Sequence, residues 1–176
     1  MKEQEIDELI DYIQFFLRDT IQNDAENVNL IILCLLNGKT TDNGIEEETG
    51  LRLNIVRRIL YKLYDEGLAT YKRSKDPETQ WFTYEWKFEL KRVNEVLTNK
   101  NQEVIDQLEK TIEEYETNTF FICPKDNELY TFEDATNRNF KCDYCNTTLE
   151  LFDMKQTIKD IKKSLQTHKQ LEFNFE

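Results

Sequence analysis

Three cysteines and one aspartate occupy the positions where a zinc ribbon carries four metal ligands. Cys123 and Asp126 are separated by two residues, fifteen residues follow, and Cys142 and Cys145 repeat the two-residue spacing. With cysteine at position 126 the pattern would be C-x2-C-x15-C-x2-C, in which each Cys-x-x-Cys pair presents two thiolates to one tetrahedral ion. The spacing therefore predicts a zinc-ribbon-like site in which one ligand position is altered.

Asp126 leaves three arrangements open. A carboxylate can coordinate zinc at about 2.0 to 2.2 Å, although its hard oxygen is a poorer structural ligand than thiolate. Alternatively, the three thiolates and a water hold the ion. In the third arrangement the ribbon has lost its metal, and an apolar core formed by Phe121, Tyr130, Phe132, Phe140 and Leu149 holds it together. We expect Zn²⁺ to be bound, because a unit of about 60 residues has a thin core without such a staple.

The sequence contains no recognisable catalytic constellation. His168, the only histidine, lies well downstream of Cys145, so it is a weak ligand candidate and a poor base for a nucleophilic triad. The four glycines form neither a P-loop nor a dinucleotide-binding pattern. A hydrolytic zinc enzyme would also need an open metal position beside perturbed acids in a pocket. We therefore predict that the protein is not an enzyme.

Cys34 lies in an apolar run and is interpreted as a core residue.

A second cluster, over residues 72–88, interleaves cations with aromatic rings that include both tryptophans. Exposed rings beside cations are suited to unstacked single-stranded bases. Strand alternation favours packing for Phe82 and Tyr84, which share the parity of Trp86, whereas Trp81 has the opposite parity. Trp81 is thus the ring that we expect to touch a partner. The candidate contacts with single-stranded DNA or a protein are Lys72, Arg73, Lys75, Trp81, Phe82 and Tyr84.

Hydrophobic periodicity and turn signals predict a winged helix around this cluster. Apolar residues at helical spacing indicate a leading helix over residues 2–20, and Asp24 or Asn27 can cap the next helix. Thr41 and Asp42 can cap a third helix that stops at Gly50, and Gly67 follows a fourth. A strand over 68–73, a turn over 74–79 and a strand over 80–90 complete the pattern.

The fourth helix carries Arg57, Arg58 and Lys62, which could contact a DNA groove. Acidic side chains stand close by in the sequence, and the whole chain has a formal net charge of −12. Counterion release on duplex DNA requires clustered lysine and arginine. A solvated or protein-binding face is therefore the expected role of this helix.

We predict an α+β fold with a winged-helix domain over 1–90, a helical linker over 91–117 and a zinc-ribbon-like domain over 118–176. The linker contains neither glycine nor proline and spaces apolar residues near a heptad repeat, with Asn101 as an interruption. The last domain is expected to have strands at 120–123, 130–132, 139–142 and 147–152, then a helix at 154–167 and a loose end at 171–176.

Two features of the sequence predict an intracellular protein. Its longest apolar run is far shorter than the roughly 20 residues of a membrane span. The acidic, amphipathic start is unlike a signal peptide. We therefore expect a cytoplasmic protein without a membrane segment.

The chain resembles the archaeal transcription factor E family, the counterpart of the alpha subunit of eukaryotic general transcription factor IIE. The most specific likeness is the string DPETQWFTYEW at residues 76–86, and Cys123-Pro124, Cys142 and Cys145 support it. The resemblance covers essentially the whole chain, whereas Asp126 departs from the usual set of four cysteines.

The resemblance implies a general initiation factor that joins RNA polymerase, TATA-binding protein and transcription factor B in the preinitiation complex. Such factors aid promoter melting, with the winged helix on the polymerase clamp, the wing near the non-template strand and the ribbon toward the stalk. It implies nucleoid association through polymerase, and we expect a monomer when the protein is alone. The alternative is a sequence-specific winged-helix regulator with a metal-responsive ribbon.

Overall fold

A computed structural model of the protein describes residues 3–21, 24–75, 77 and 80–175, without the side chains of residues 3 and 21. The chain divides into two compact units. The first unit comprises Met1–Asn101 and Glu172–Glu176, and the second comprises Gln102–Leu171. Helices combine with a hairpin in the first unit and with a small sheet in the second. The predicted α+β class is therefore confirmed.

Helices followed by an antiparallel hairpin form the first unit. In chain order they are α1 (Glu3–Phe16), α2 (Arg18–Ile21), α3 (Ala25–Leu36), α4 (Asp42–Thr49), α5 (Leu53–Asp65), β1 (Ala69–Lys75) and β2 (Phe82–Phe88). The long helix α6 (Leu90–Thr117) starts in this unit and ends in the second. The order α3, α4, α5 and hairpin is that of a winged helix, with a leading helical segment that breaks at Leu17 instead of running unbroken over 2–20.

The turn residues behave largely as their chemistry predicts. The Thr41 hydroxyl accepts a hydrogen bond from the Gly44 N–H at 3.2 Å and caps α4. Gly50 and Gly67 have φ of 69° and 77°, the left-handed conformation in which glycine avoids a steric penalty. Asp24 differs from the prediction. It stands at the N-cap of α3, but its side chain makes no capping bond within the described part of the chain and faces α5 instead.

The helices and the base of the hairpin enclose one apolar core. Each of α1, α3 and α5 contributes residues at helical spacing, as predicted, and Cys34 is buried as a small core residue. Leu68, Trp86 and Phe88 extend this core into the hairpin. Burial of this face holds the helices and the hairpin together, because a lone two-stranded hairpin is at best marginally stable in water.

The hairpin pairs Tyr71 with Trp86 and Lys75 with Phe82 in an antiparallel register. Strand β1 continues to Lys75, two residues beyond the predicted strand. The Trp86 backbone N–H donates to the Thr40 carbonyl at 2.7 Å, so β2 is also hydrogen bonded to the residue before the α4 cap. The base of the hairpin is thus fixed to the helices, and its far end projects into solvent.

The second unit contains a three-stranded antiparallel sheet of order β4-β3-β5. Its elements, after the end of α6, are β3 (Phe120–Ile122), β4 (Leu129–Thr131), α7 (Phe132–Asn137), β5 (Glu150–Phe152) and α8 (Lys155–Lys169). Two ion pairs, Lys162 with Glu116 and Lys169 with Glu109, connect α8 to the second half of α6.

The predicted strand at 139–142 is wrong. These residues, all of which the structure describes, form only an isolated bridge between Lys141 and Thr148. Asn139 and Phe140 have φ of 51° and 56°, and two successive left-handed residues are incompatible with an extended strand. The short helix α7 precedes them, and the Thr131 side chain caps it by accepting from the Asp134 N–H.

The predicted loose end at 171–176 is also wrong for the residues described. Phe173 and Phe175 are half-buried and pack against the core of the first unit. The sequence pattern gave no sign of this, because the partners lie at the opposite end of the chain.

The two tryptophans provide a direct test of the core. Trp86 is 1% exposed, and its Nε1–H donates to the buried Asp42 carboxylate at 2.7 Å, whereas Trp81 is 77% exposed. We expect Trp86→Phe to lower the free energy of unfolding by about 2–3 kcal/mol, because it removes a charged hydrogen bond and leaves a cavity. The control Trp81→Phe should change it by less than about 0.5 kcal/mol. Urea denaturation followed by circular dichroism measures both, and equal losses would contradict this account.

Candidate functional site

Two matching backbone turns present the candidate metal ligands. The Asn127 N–H donates to the Cys123 carbonyl, and the Asn146 N–H donates to the Cys142 carbonyl, each at 2.9 Å. Asn127 and Asn146 both have φ of 56°, a left-handed conformation that asparagine tolerates better than most residues. Each turn therefore has the same local fold, although one carries two cysteines and the other carries one.

Asp126 and Cys145 occupy equivalent places, each directly before the left-handed asparagine of its turn. The ligand atoms of Cys123, Asp126, Cys142 and Cys145 all lie within 4.8 Å of one another. The Sγ atoms of Cys123 and Cys145 are 3.4 Å apart, and Asp126 Oδ2 is 3.1 Å from Cys142 Sγ. Zinc–sulfur bonds of about 2.3 Å in a tetrahedron place neighbouring donors about 3.5–3.8 Å apart. The group fits a metal ion, and its donor set is compatible with zinc.

Hydrogen bonds within this group shift the protonation equilibria. Those from the Cys145 and Cys142 thiols hold the pKa of the Asp126 carboxyl below its usual range. Burial raises the pKa of the Cys123 thiol to about 11. The Tyr130 hydroxyl donates to Cys142 Sγ at 3.4 Å, which lowers the pKa of that thiol. Asp126 thus brings a negative charge, and a bound cation would replace the protons that the thiols share with it.

The surroundings of the metal group are partly as predicted. Tyr130 and Leu149 are buried beside the cysteines, and Phe121 and Phe140 pack against them. Phe132 was predicted to belong to this core, but its side chain is 56% exposed. Its ring centre lies 6.3 Å from that of Phe121 and 6.2 Å from that of Phe140. His168 lies in α8 and does not belong to the metal-ligand group found among the described residues.

One face of the hairpin changes from core to surface along its length. Trp86 is buried at the base, Tyr84 is half-buried, and Phe82 is 47% exposed toward the tip. The expectation that Phe82, Tyr84, Trp86 and Phe88 mostly pack therefore holds for Trp86 and Phe88, which are buried, and does not hold for Phe82. The same periodicity that builds the core thus continues past the end of the core and leaves aromatic surface in solvent.

Cations cover this exposed surface. The Arg73 guanidinium lies 3.5 Å from the centre of the Phe82 ring, and Lys75 Nζ lies 5.8 Å from it. Register places Arg73 opposite Tyr84 and Lys75 opposite Phe82 on one face. We call Arg73, Lys75, Phe82, Tyr84 and the adjoining Trp81 the wing surface. Lys72 pairs with Glu85 in the register and lies on the opposite face.

The cations of α5 are engaged in ion pairs. Arg57 Nε donates to Asp42 at 2.6 Å. Arg58 and Lys62 both contact the buried Asp24 carboxylate, at 2.7 and 3.1 Å. The three cations keep about a third to a half of their side-chain surface exposed. The neighbouring carboxylate partly compensates the charge of each cation, which weakens its electrostatic attraction to DNA phosphates.

Two acids and one tyrosine were missed by sequence reasoning. Asp24 and Asp42 looked like ordinary caps, and only the fold brings them against α5. Tyr71 lies 5.0 Å from the Trp86 ring and 5.2 Å from the Tyr64 ring, and forms an aromatic group between α5 and the hairpin. Its two-residue spacing from Arg73 could have placed it on the same face.

Comparisons with known proteins identify relatives of this chain. A sequence model of the TFIIE alpha subunit family matches residues 11–118. Transcription factor E of Methanobrevibacter smithii is 49% identical over 151 residues, which cover 86% of this chain and 87% of that protein. The proteins of the same name from Methanosphaera stadtmanae and Methanocaldococcus jannaschii are 43% and 39% identical, over 81% and 87% of this chain and 79% and 88% of their own lengths.

A solved structure has a similar fold. It is titled a possible transcriptional regulator from Methanosarcina mazei, with a TM-score of 0.52 and 16% identity. The match covers 60% of this chain and 87% of that one.

Among the described residues of the present chain, none of the helices is long and apolar enough to cross a membrane.

The Asp24 ion pairs predict a pH-dependent contribution to stability. Burial alone would raise the pKa of this carboxyl, but the hydrogen bond from Lys62 and the charges of Arg58 and Lys62 outweigh it and lower the pKa. The contribution of Asp24 is therefore complete above the unfolded pKa of about 3.9 and is lost as the pH falls through the lower folded value.

We expect Asp24→Asn to lower the free energy of unfolding by about 1–3 kcal/mol at pH 7, with the difference from wild type shrinking below pH 4. Urea denaturation of both proteins across this pH range measures it. Glu26→Gln, an exposed change in the first turn of α3, is the control. A wild-type advantage that stayed constant down to pH 2 would contradict the ion-pair explanation.

Proposed function

This chain belongs to the TFIIE alpha subunit family of general transcription initiation factors, and we propose that it acts with RNA polymerase, TATA-binding protein and transcription factor B at promoters. Its named relatives are transcription factors, and the protein is not an enzyme. In this proposal it joins the preinitiation complex as a monomer, inside the cell at the nucleoid, aids DNA melting and stabilises the open complex.

The observation that carries the proposal is the exposed wing surface. Trp81 and Phe82 present large areas of ring to solvent, and Arg73 and Lys75 supply positive charge beside the Phe82 ring. Stacking of an unpaired base on such a ring contributes about 1–3 kcal/mol, whatever the base. A surface of this kind suits the displaced non-template strand and offers little to a closed duplex, whose bases are already stacked.

The acidity of the chain supports recruitment through protein surfaces. A formal net charge of −12 opposes autonomous binding to duplex DNA. We propose that the first unit binds the polymerase clamp, and that the second unit reaches toward the clamp base and the stalk. A factor that binds the open state of the polymerase about 10-fold more tightly than the closed state favours opening by about 1.4 kcal/mol.

A sequence-specific DNA-binding regulator is the less favoured function, because the α5 cations are engaged in ion pairs. Arg57, Arg58 and Lys62 are potential groove contacts, but each is held by Asp24 or Asp42. Reading a base edge would require such a side chain to leave its carboxylate partner. Salt-dependent binding of the isolated protein to promoter duplex would support the regulator instead.

We further propose that Cys123, Asp126, Cys142 and Cys145 hold one zinc ion. The ion would cross-link the two turns of a small unit whose apolar core has few fully buried residues. Its role here is structural, and Asp126 would replace the fourth thiolate.

The zinc proposal predicts one equivalent of zinc in protein purified without chelators, measured by elemental analysis. Asp126→Cys should retain zinc against a higher concentration of chelator than wild type, because thiolate is the better zinc ligand. Asp126→Ala should retain less than wild type, and Glu128→Ala, an exposed change beside the same turn, should match wild type.

Each alternative gives a distinct result in this experiment. Zinc absent from all four proteins would refute the proposal that the site binds metal. Zinc retained equally by wild type and Asp126→Ala would show that Asp126 is not a ligand and would support a water as the fourth ligand.

The wing proposal predicts that Trp81→Ala weakens open-complex formation on a weak promoter by about fivefold or more, the equivalent of roughly 1 kcal/mol of lost stacking. Permanganate footprinting with polymerase, TATA-binding protein and transcription factor B measures the melted bases. Trp81→Phe is the matched control, because it keeps an aromatic ring for stacking at the same exposed position. Unchanged melting with Trp81→Ala, in protein with a normal circular dichroism spectrum, would refute the role of this ring.

A further inference from the structure

Residues 172–175 lie in an aromatic cradle on the first unit. Along these residues exposed and half-buried side chains alternate, as expected for an extended segment held along one side. The Phe173 ring meets Tyr12 edge-on, with the ring centres 5.0 Å apart, and meets Phe16 in the same way at 5.9 Å. The centre of the Phe175 ring lies 6.4 Å from the centre of the same Tyr12 ring.

Asn94, near the start of α6, binds the backbone of the same segment. Its Nδ2 donates to the Phe175 carbonyl at 3.1 Å, and the Phe175 N–H donates to its Oδ1 at 3.1 Å. One side-chain amide thus satisfies both polar groups of one residue, as a neighbouring β-strand would do. The contact requires an extended backbone and is independent of the side chain at position 175, so the rings supply the selectivity.

We propose that Tyr12, Phe16 and Asn94 form a binding site for an extended peptide with aromatic residues at positions i and i+2, and that its occupant is the C-terminal segment of this same chain. The site is separate from the wing surface and the metal group, and the inference does not rest on the proposed function. The chain leaves the first unit along α6 and returns to it at residue 172, so the segment closes a loop that contains residues 102–171.

Three features of the segment support this occupant. Its aromatic residues have the required spacing in Phe173-Asn174-Phe175. Asn174, between them, is exposed, so the alternation of the segment matches the one-sided cradle. The rings also pack against partly buried residues of the first unit's core, which would otherwise meet water.

The test uses the full-length chain and a fluorescent peptide of residues 168–176. In Phe173→Ala/Phe175→Ala protein the chain's own segment lacks its rings, so the cradle should accept the peptide. We expect this double variant to bind the peptide at least about 10-fold more tightly than wild type does, because the wild-type segment competes with it. Asn174→Ala, an exposed change in the same segment, should behave as wild type.

A second substitution tests where the peptide binds. Asn94→Asp has nearly the same shape but replaces the Nδ2 donor with an oxygen that faces the Phe175 carbonyl. Added to the double variant, it should weaken peptide binding at least about 10-fold. Binding that is insensitive to Asn94→Asp would overturn the assignment of the cradle.

Other results would overturn the proposal itself. A folded double variant that does not bind the peptide shows that the cradle is no peptide site. Equal binding to wild type and the double variant shows that the chain's own segment does not occupy it. A wild-type mass of two chains by light scattering, reduced to one by the double variant, shows that a second copy supplies the segment.

Discussion

The position of the wing depends on the buried carboxylate of Asp42. Capping by Thr41 places this residue in the first turn of α4, where it accepts from Trp86 Nε1–H and from Arg57 Nε. One side chain therefore connects α4, α5 and β2. A buried carboxylate is costly unless hydrogen bonds satisfy it, so the three elements are held in the one arrangement that supplies both donors. The outer half of the hairpin projects from this fixed base.

The hairpin carries both core residues and exposed aromatic surface along a single strand face. Near the Asp42 contact, Trp86 and Phe88 complete the core, and four residues before Trp86 on the same face, Phe82 is in solvent beneath Arg73. Because strand periodicity alone sets which residues share a face, the core and the exposed aromatic surface need no separate element. The arrangement also places the positive charges of Arg73 and Lys75 beside the Phe82 ring, whereas the α5 cations are compensated by Asp24 and Asp42.

Local sequence signals predicted most of the helices and strands. They did not predict contacts between residues that are far apart in the sequence. Gly50 and Gly67 mark helix ends because glycine adopts the left-handed conformation easily, and the ribbon turns follow from cysteine spacing. The strand expected at 139–142 failed because its composition suggested extended chain, whereas the backbone at Asn139 turns left-handed. Asp24 is 34 positions from Arg58, and Asn94 is 81 positions from Phe175, and no periodicity encodes such separations.

The second unit shows that the shape of a metal site and the chemistry of its ligands are separable. Backbone hydrogen bonds and the left-handed Asn127 and Asn146 set the two turns, so a carboxylate at position 126 occupies the place of a thiolate. Three thiolates and one carboxylate carry the same charge as four thiolates, but oxygen is the harder donor and binds zinc less well. A carboxyl with a normal pKa of about 4 is already ionised at neutral pH, whereas a thiol of pKa about 8.5 must lose a proton. In the proposed zinc site, Asp126 would therefore weaken the bond to the metal and would at the same time remove one of the protons that binding must displace.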